Sequence, residues 1–191
     1  LIFTDRGIMY QIKGINIPEG KWKEKGEKLD TLIKALNLDE EKIIGVNSVN
    51  IMSSDRFVQF VTNSGCIKRS SLDKFQTNYS KIQALKLKED QAVKLREGER
   101  VVRTDILEGE NKFLKISTKL GLEFTLEIPQ LEDLPRNILG TQLFNLSSKD
   151  EVINAEYVES MEFVEYTLGV TAKGTLKTFA RANKNDSLKV T

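Results

Sequence analysis

The sequence predicts an all-β protein in which a unit of about four strands is repeated along the chain like the blades of a propeller. Three observations predict this fold class. The pattern Thr-x-x-Gly occurs four times, short runs of alternating apolar residues flank each copy, and further strand-like segments follow three of the copies in the same order. Small sheets of this kind bury their faces by packing radially against one another.

Each Thr-x-x-Gly pattern predicts the tight turn of a β-hairpin. The copies begin at residues 4, 62, 118 and 171, so their starts lie 58, 56 and 53 residues apart. The flanking runs, such as FVQFVTNSGCIKR, are rich in β-branched and aromatic residues, as strands are. A type I turn at the two middle positions places the glycine in the left-handed region, where a Cβ atom would clash. The predicted turn glycines are Gly7, Gly65, Gly121 and Gly174.

A second landmark indicates a true internal repeat. In three segments, an apolar strand end is joined to another strand start through a polar turn: LNLDEEKIIGV, VKLREGERVVR and FNLSSKDEVIN. Aligning these segments makes Leu38, Leu95 and Leu146 equivalent positions of the repeat. We therefore expect one domain, residues 1–191, with repeats at approximately 1–50, 51–110, 111–165 and 166–191, three of them complete and the fourth partial. Residues 27–36 have helical potential for one or two turns. We expect the chain to be a piece of a longer polypeptide.

The composition excludes several classes of chemistry. The chain has no histidine and one cysteine, Cys66, so histidine-dependent nucleophiles, histidine-bound zinc, thiolate clusters and an internal disulfide are not expected. The segment GKWKEKGEK lacks the spacing and the hydroxyl of a phosphate-binding loop. We expect no catalytic residue, metal site or cofactor. A single cysteine and the lack of an apolar run of about 20 residues suit the cytoplasm.

Charge is unevenly distributed although the net charge is only +1. The four repeats carry net charges of 0, +2, −5 and +4 in order. Residues 67–88 contain six basic side chains and one acidic side chain, Asp73, which suits binding to a nucleic-acid backbone. A solvated basic surface without a partner is the alternative. In the third repeat, Glu123 and Phe124 stand where the second has Ile67 and Lys68, so we expect a nucleic-acid backbone to avoid that blade.

The candidate DNA-binding residues fall into three groups. They are Lys68, Arg69, Lys74, Lys81, Lys86 and Lys88 in the second repeat, Lys13, Lys21, Lys23 and Lys25 in the first, and Lys173, Lys177, Arg181 and Lys184 in the fourth. Trp22 lies among the lysines of the first group, and we expect it to anchor its loop. No recognition helix for a major groove is evident, so we expect binding that tolerates any sequence.

Three stretches carry a resemblance to a known family. FTDRGIMYQIKGINIPE, VTNSGCIKRSSLDKF and KWKEKGEKL, together with the order of motifs in every repeat, resemble the C-terminal DNA-binding domain of the A subunit of bacterial type IIA topoisomerases. The resemblance covers essentially the whole chain. It implies a β-pinwheel, a propeller-like disc whose adjacent blades exchange strands. The partners that it implies are double-stranded DNA, the ATPase B subunit, and the catalytic core of the polypeptide to which such a domain belongs.

The resemblance also implies that catalysis lies outside this chain. The family cleaves DNA with a tyrosine beside an arginine, and no such arginine adjoins Tyr10, Tyr79, Tyr157 or Tyr166. KWKEKGEKL resembles the topoisomerase IV branch, and the loop QTNYSKIQ lacks the glycine of the gyrase box. We expect a module that bends DNA for topoisomerase IV. The alternatives are the DNA-wrapping domain of gyrase and a propeller-type scaffold that binds another protein.

Overall fold

The computed structural model describes residues 1–87, 98–108 and 113–158 in full, and the backbone alone of two further strands. The strands are β1 Ile2–Thr4, β2 Ile8–Tyr10, β3 Ile43–Val46, β4 Arg56–Thr62, β5 Cys66–Ser71, β6 Lys81–Gln83, β7 Val101–Glu108, β8 Phe113–Thr118, β9 Glu123–Glu127, β10 Thr141–Gln142, β11 Val152–Val158, β12 Tyr166–Val170 and β13 Leu176–Ala180. The one α-helix of the described part, α1, is a single turn at Leu29–Leu32. The all-β prediction is confirmed, and no described helix is long and apolar enough to cross a bilayer.

The predicted hairpin turns are present at three of the four positions. In each, the glycine amide donates a hydrogen bond to the carbonyl of the threonine three residues earlier, at 3.0–3.1 Å. The backbone φ angles are +70° at Gly7, +84° at Gly65 and +88° at Gly121, which confirms the reason for glycine there. Gly174 lies outside the described residues.

Adjacent sheets exchange strands, as the resemblance implies. The sheet orders are β3-β1-β2-β6, β10-β5-β4-β7, β11-β8-β9 and β12-β13. Strand β6 follows the second hairpin in sequence but pairs with the first, so that Met9 faces Ile82. Strand β10 follows the third hairpin and pairs with the second, so that Thr141 faces Ile67. Each of these two repeats thus supplies one short strand to the sheet before it.

The exchange shows that one predicted landmark was misaligned. Leu85 lies against the turn at Gly7, and Phe144 lies in the same position against the turn at Gly65. The segment IQALKL at residues 82–87 is therefore the counterpart of TQLFNL at 141–146, and Leu87 rather than Leu95 matches Leu146. Leu95 itself lies outside the described residues.

Two apolar clusters hold the described sheets together. Between the first and second sheets, the rings of Phe3, Phe60 and Phe75 meet with centroids 5.7–6.3 Å apart. Between the second and third sheets, Phe124 meets Phe144 edge to face at 5.2 Å. Burying each large apolar side chain stabilises the fold by roughly 1.5–3 kcal/mol. Each of these two junctions between neighbouring sheets therefore has an apolar cluster of its own.

Candidate nucleic-acid interface

Lys68 is buried between the connections that join the blades. It lies in β5, only 1% of its surface is exposed, and its Nζ atom donates to the carbonyl of Ala84 at 3.0 Å and to that of Arg136. Burial, reinforced by the charge of Lys74, lowers the pKa of Lys68 to about 7. The expectation that Lys68 belongs to an exposed basic surface is therefore wrong, because a phosphate cannot reach its ammonium group.

A signal for this burial is present in the sequence. Lys68 stands three residues after its turn glycine, and the same position holds Tyr10 in the first repeat and Phe124 in the third. The Tyr10 hydroxyl donates to the carbonyl of Ala35 at 3.1 Å, and Ala35 corresponds to Ala84 when IKALNL is aligned with IQALKL. The position is thus an inward-facing anchor, which the two aromatic residues could have indicated.

Arg69 is also withdrawn from the surface. Its exposed fraction is 9%, and its guanidinium carbon lies 3.5 Å from the centroid of the Phe57 ring. Its backbone carbonyl accepts a hydrogen bond from the Leu134 amide at 3.0 Å, which attaches the third repeat's connection to β5. The sequence placed Arg69 on an exposed surface with Lys68, and the structure corrects both residues for the same reason: every residue of β5 is buried.

Lys74 is half-exposed and paired with an acid from another repeat. Its Nζ atom lies 2.8 Å from a carboxylate oxygen of Asp133 and 3.0 Å from the Asp133 carbonyl. Burial alone would raise the pKa of Asp133, but hydrogen bonds from Lys74 and Ser71 outweigh it and hold that pKa below its usual value. The basic stretch is therefore less positive in the fold than in the sequence, because the chain brings Asp133 to it.

The remaining described candidates are exposed. They are Lys13, Lys21, Lys23, Lys25, Lys81 and Lys86. Trp22 is 99% exposed, so it does not anchor its loop as expected. Lys88, Lys173, Arg181 and Lys184 lie outside the described residues, and only the backbone of Lys177, in β13, is described.

Strand exchange brings exposed lysines of two repeats to the first sheet. Lys81 lies in β6, faces Tyr10 across the strand pair, and has its Nζ atom 5.3 Å from the centroid of the Tyr10 ring. The adjacent Gln11 side chain donates to the carbonyls of Thr77 and Tyr79, each at 2.8 Å. The segment that carries Lys13 therefore starts beside the loop that ends at Lys81. The sequence could not place these two segments together.

The third sheet presents paired rather than available cations. Lys115 forms an ion pair with Glu123 at 2.7 Å, and Lys119 forms one with Glu151 at 2.9 Å. Lys119 is exposed, and an exposed pair of this kind contributes about 0–1 kcal/mol to stability, whereas the Lys115 side chain is largely buried. Each pair nevertheless offsets the positive charge of its lysine. This arrangement agrees with the acidic balance of the third repeat.

A family model for the DNA gyrase C-terminal domain, a β-propeller, matches residues 1–50 and 59–107, which are 99 of the 191 residues. The A subunit of DNA gyrase from Helicobacter pylori strain ATCC 700392 / 26695 is 27% identical over 155 residues, which cover 81% of this chain and 18% of that protein. The A subunit of DNA topoisomerase 4 from Staphylococcus aureus strain MRSA252 is 25% identical over 177 residues, which cover 93% of this chain and 21% of that protein.

Solved structures show the same fold. The C-terminal domain of a DNA topoisomerase IV superposes with a TM-score of 0.78 at 21% identity, covering 94% of this chain and 52% of that domain. The DNA gyrase A C-terminal domain superposes with a TM-score of 0.63 at 20% identity, covering 94% and 53%. The chain thus spans about a fifth of the length of the two similar subunits and about half of the two similar domains.

Proposed function

Because the chain belongs to the family of the DNA gyrase C-terminal domain, we propose that it is a non-catalytic module that binds and bends double-stranded DNA for a type IIA topoisomerase. Its partners would be the DNA, the ATPase B subunit, and the catalytic core of the polypeptide to which the module belongs. The module would act in the cytoplasm, on the nucleoid. The cleavage tyrosine would belong to the core and not to this chain.

The observation that carries this proposal is the group of exposed lysines on and beside the first sheet. Lys13, Lys21, Lys23 and Lys25 follow β2, and Lys81 joins the same sheet through β6. Side chains of this type neutralise phosphates and release condensed counterions, without regard to base sequence. We call these five residues the first-blade lysines.

Lys86 and Lys74 would extend the contact toward the second sheet. The Lys86 amide donates to the Ile138 carbonyl at 3.2 Å, which fixes its backbone where the second and third repeats meet. Lys68 and Arg69 are buried in β5 and do not contact DNA in our proposal. Lys88, Lys173, Lys177, Arg181 and Lys184 remain candidates on sequence alone.

A surface of several weak phosphate contacts suits bending. Smooth bending of a 20–30 bp duplex costs on the order of 1–6 kcal/mol, so contacts must be spread along the duplex to offset it. A bent duplex would present a second DNA segment to the strand-passage core and so help to control DNA topology. The third sheet, with paired lysines, would lie off the DNA path.

We assign the module to topoisomerase IV. The match to the S. aureus topoisomerase 4 protein covers 93% of the chain, against 81% for the H. pylori gyrase protein, and residues 76–83 lack glycine. The second candidate is the DNA-wrapping domain of gyrase, which the name of the family model and the 27% identity of the H. pylori protein favour.

The proposal is tested by energy transfer between dyes at the two ends of a duplex of about 40 bp. We expect the chain to raise the transfer efficiency equally on two duplexes of unrelated sequence. Replacing Lys21, Lys23 and Lys25 together by glutamine should weaken this effect, whereas Lys115→Gln with Lys119→Gln should leave it unchanged. Tight binding without a rise in transfer would contradict bending, and equal losses in both variants would contradict the proposed surface.

A further inference from the structure

Trp22 is the one tryptophan of the chain, and its side chain lies almost entirely in solvent. Its exposed fraction is 99%, whereas Phe3, Phe60 and Phe75 are each no more than 1% exposed. Aromatic side chains of this size usually contribute their large surface to a core or to an interface. Trp22 contributes none of its surface to the core, so that surface remains available to a ligand.

A tight turn holds Trp22 at its tip. The Glu24 amide donates to the Lys21 carbonyl at 2.9 Å, and the Lys21 amide donates to the Glu24 carboxylate, also at 2.9 Å. Trp22 and Lys23 are the two central residues of the turn that these bonds close. Because the backbone of the turn is already ordered, binding through it would cost little further conformational entropy.

Positive charge flanks the indole ring on both sides. Lys21 and Lys23 adjoin Trp22, with Cα atoms about 3.8 Å from its own, and Lys25 follows. All three lysines are exposed. The one acid among them is Glu24, whose carboxylate accepts the hydrogen bond from the Lys21 amide. A ligand that fits this turn must therefore present a flat apolar face beside negative charge.

A nucleotide whose base is unpaired has both of these features. Its base offers a π-face to an aromatic ring, and the phosphates on either side offer negative charge to lysines. Proteins that bind single strands combine these two kinds of contact. In a perfect duplex the faces of the bases are covered by their neighbours in the stack, so the same turn could contact only phosphates and groove edges. The turn should therefore distinguish unpaired from paired DNA.

Two other kinds of partner fit the turn less well. The buried centre of a protein interface is depleted of charged residues, whereas lysines directly adjoin Trp22. A segment that lies on a membrane surface is typically an amphipathic helix with one apolar face. The connection at residues 13–28, all of which are described, holds one 3₁₀ turn at Gly14–Asn16 and no longer helix.

We propose that Trp22 stacks on unpaired bases of DNA and that the turn at residues 21–24 is a binding site for single strands. The inference rests on the proposed function, because it takes the first-blade lysines as phosphate contacts. Every base has a π-face, so this site reads no sequence. The module binds duplex DNA through its lysines, and single strands through the lysines and Trp22 together.

The fluorescence of Trp22 tests the proposal directly, because no other tryptophan contributes to the emission. Oligothymidylate of about 15 nucleotides should quench the emission, whereas inorganic polyphosphate, which carries charge without bases, should not. A perfect duplex of the same length should quench it much less. Unquenched emission in a complex with oligothymidylate, formed as judged by anisotropy, would overturn the proposal. Unquenched emission together with a blue shift on phosphatidylserine vesicles would overturn it in favour of a membrane surface.

Substitutions of Trp22 separate stacking from charge. Trp22→Ala should weaken the binding of labelled oligothymidylate about 5- to 150-fold and leave duplex binding unchanged. Trp22→Phe should retain part of this affinity, and Trp22→Leu, which is apolar without a ring, should not. Ile51→Ala is the matched control, at a residue 72% exposed with no lysine beside it, and should bind like the wild type. Equal losses on single strand and duplex, or full affinity in Trp22→Leu, would overturn the proposal.

This inference and the proposed function fail in different ways. A wild-type chain that binds no duplex at low salt would contradict the proposed function. A chain that binds duplex, and that binds oligothymidylate as tightly after Trp22→Ala as before, would contradict this inference alone.

Discussion

Lys68 and Ala84 are joined by a buried hydrogen bond, 3.0 Å long, from the lysine ammonium to the alanine carbonyl. Ala84 follows the strand that the second repeat supplies to the first sheet, and Lys68 lies in the second sheet. The bond therefore fastens the exchanged strand to the blade from which it comes. A second bond, to the Arg136 carbonyl, fastens the connection from the third repeat to the same point.

This burial predicts a pH dependence of stability. Because the pKa of Lys68 is lowered from 10.5 to about 7 in the fold, the unfolded chain binds more protons than the folded chain between those two values. The free energy of unfolding should therefore rise between about pH 7 and 10.5, by an amount on the order of 1 kcal/mol per pH unit at most. Below pH 7 this contribution should no longer change.

Urea unfolding of the wild type and of Lys68→Met across pH 6.5–10 measures this slope. Methionine fills a similar volume and does not titrate, so its curve should be flatter by the Lys68 contribution. Lys25→Met, which removes an exposed lysine of the first repeat, is the control and should keep the wild-type slope. Parallel curves for the wild type and Lys68→Met would contradict the account of a buried, titrating lysine.

Gly65 should not tolerate alanine. Its φ of +84° would cost alanine about 1–2 kcal/mol of backbone strain, and the new methyl group would also displace Phe144. Gly14→Ala is the matched control, because Gly14 has no positive φ and none of the described residues beyond its chain neighbours lies within 4 Å of a Cβ built there. Thermal unfolding should therefore show a larger loss for Gly65→Ala than for Gly14→Ala. Equal losses would mean that neither the backbone strain nor the contact with Phe144 matters.

Phe75 should be essential to the junction between the first two sheets. Its side chain is fully buried and contacts the rings of Phe3 and Phe60. Phe75→Ala should reduce the free energy of unfolding by about 3–5 kcal/mol, since it removes a large buried ring and leaves a cavity. Tyr79→Ala, at a residue 74% exposed, is the matched control and should change it by less than about 0.5 kcal/mol. A small effect at Phe75 would place the stabilising contacts elsewhere.

The sequence predicted those features that depend on local chemistry. Gly7, Gly65 and Gly121 were identified as turn residues because a left-handed backbone position requires glycine. The all-β class followed from the alternating runs beside them. The exchange of β6 and β10 between sheets depends on contacts between distant segments, and only the family resemblance implied it.

The misplaced residues show where composition arguments fail. Lys68 and Arg69 raised the positive charge of the stretch 67–88, and a count of charges treats every lysine as exposed. Whether a side chain is buried depends on which face of its strand it occupies and on what packs against that face. Tyr10 and Phe124, which occupy the position of Lys68 in the other repeats, indicate that this position faces inward. Leu95 was matched wrongly because β7 starts 14 residues after Leu87, whereas β11 starts only six residues after Leu146.

The salt dependence of duplex binding tests the central claim most directly. Fluorescence anisotropy with a random duplex of about 40 bp, from low to physiological salt, gives a log–log slope of about −0.9 per neutralised phosphate. We expect the variant with Lys21, Lys23 and Lys25 replaced by glutamine to lower the magnitude of that slope by about 2–3, and Lys68→Met to leave it unchanged. Absent binding at low salt, or a slope that falls with Lys68→Met and not with the triple variant, would contradict the account.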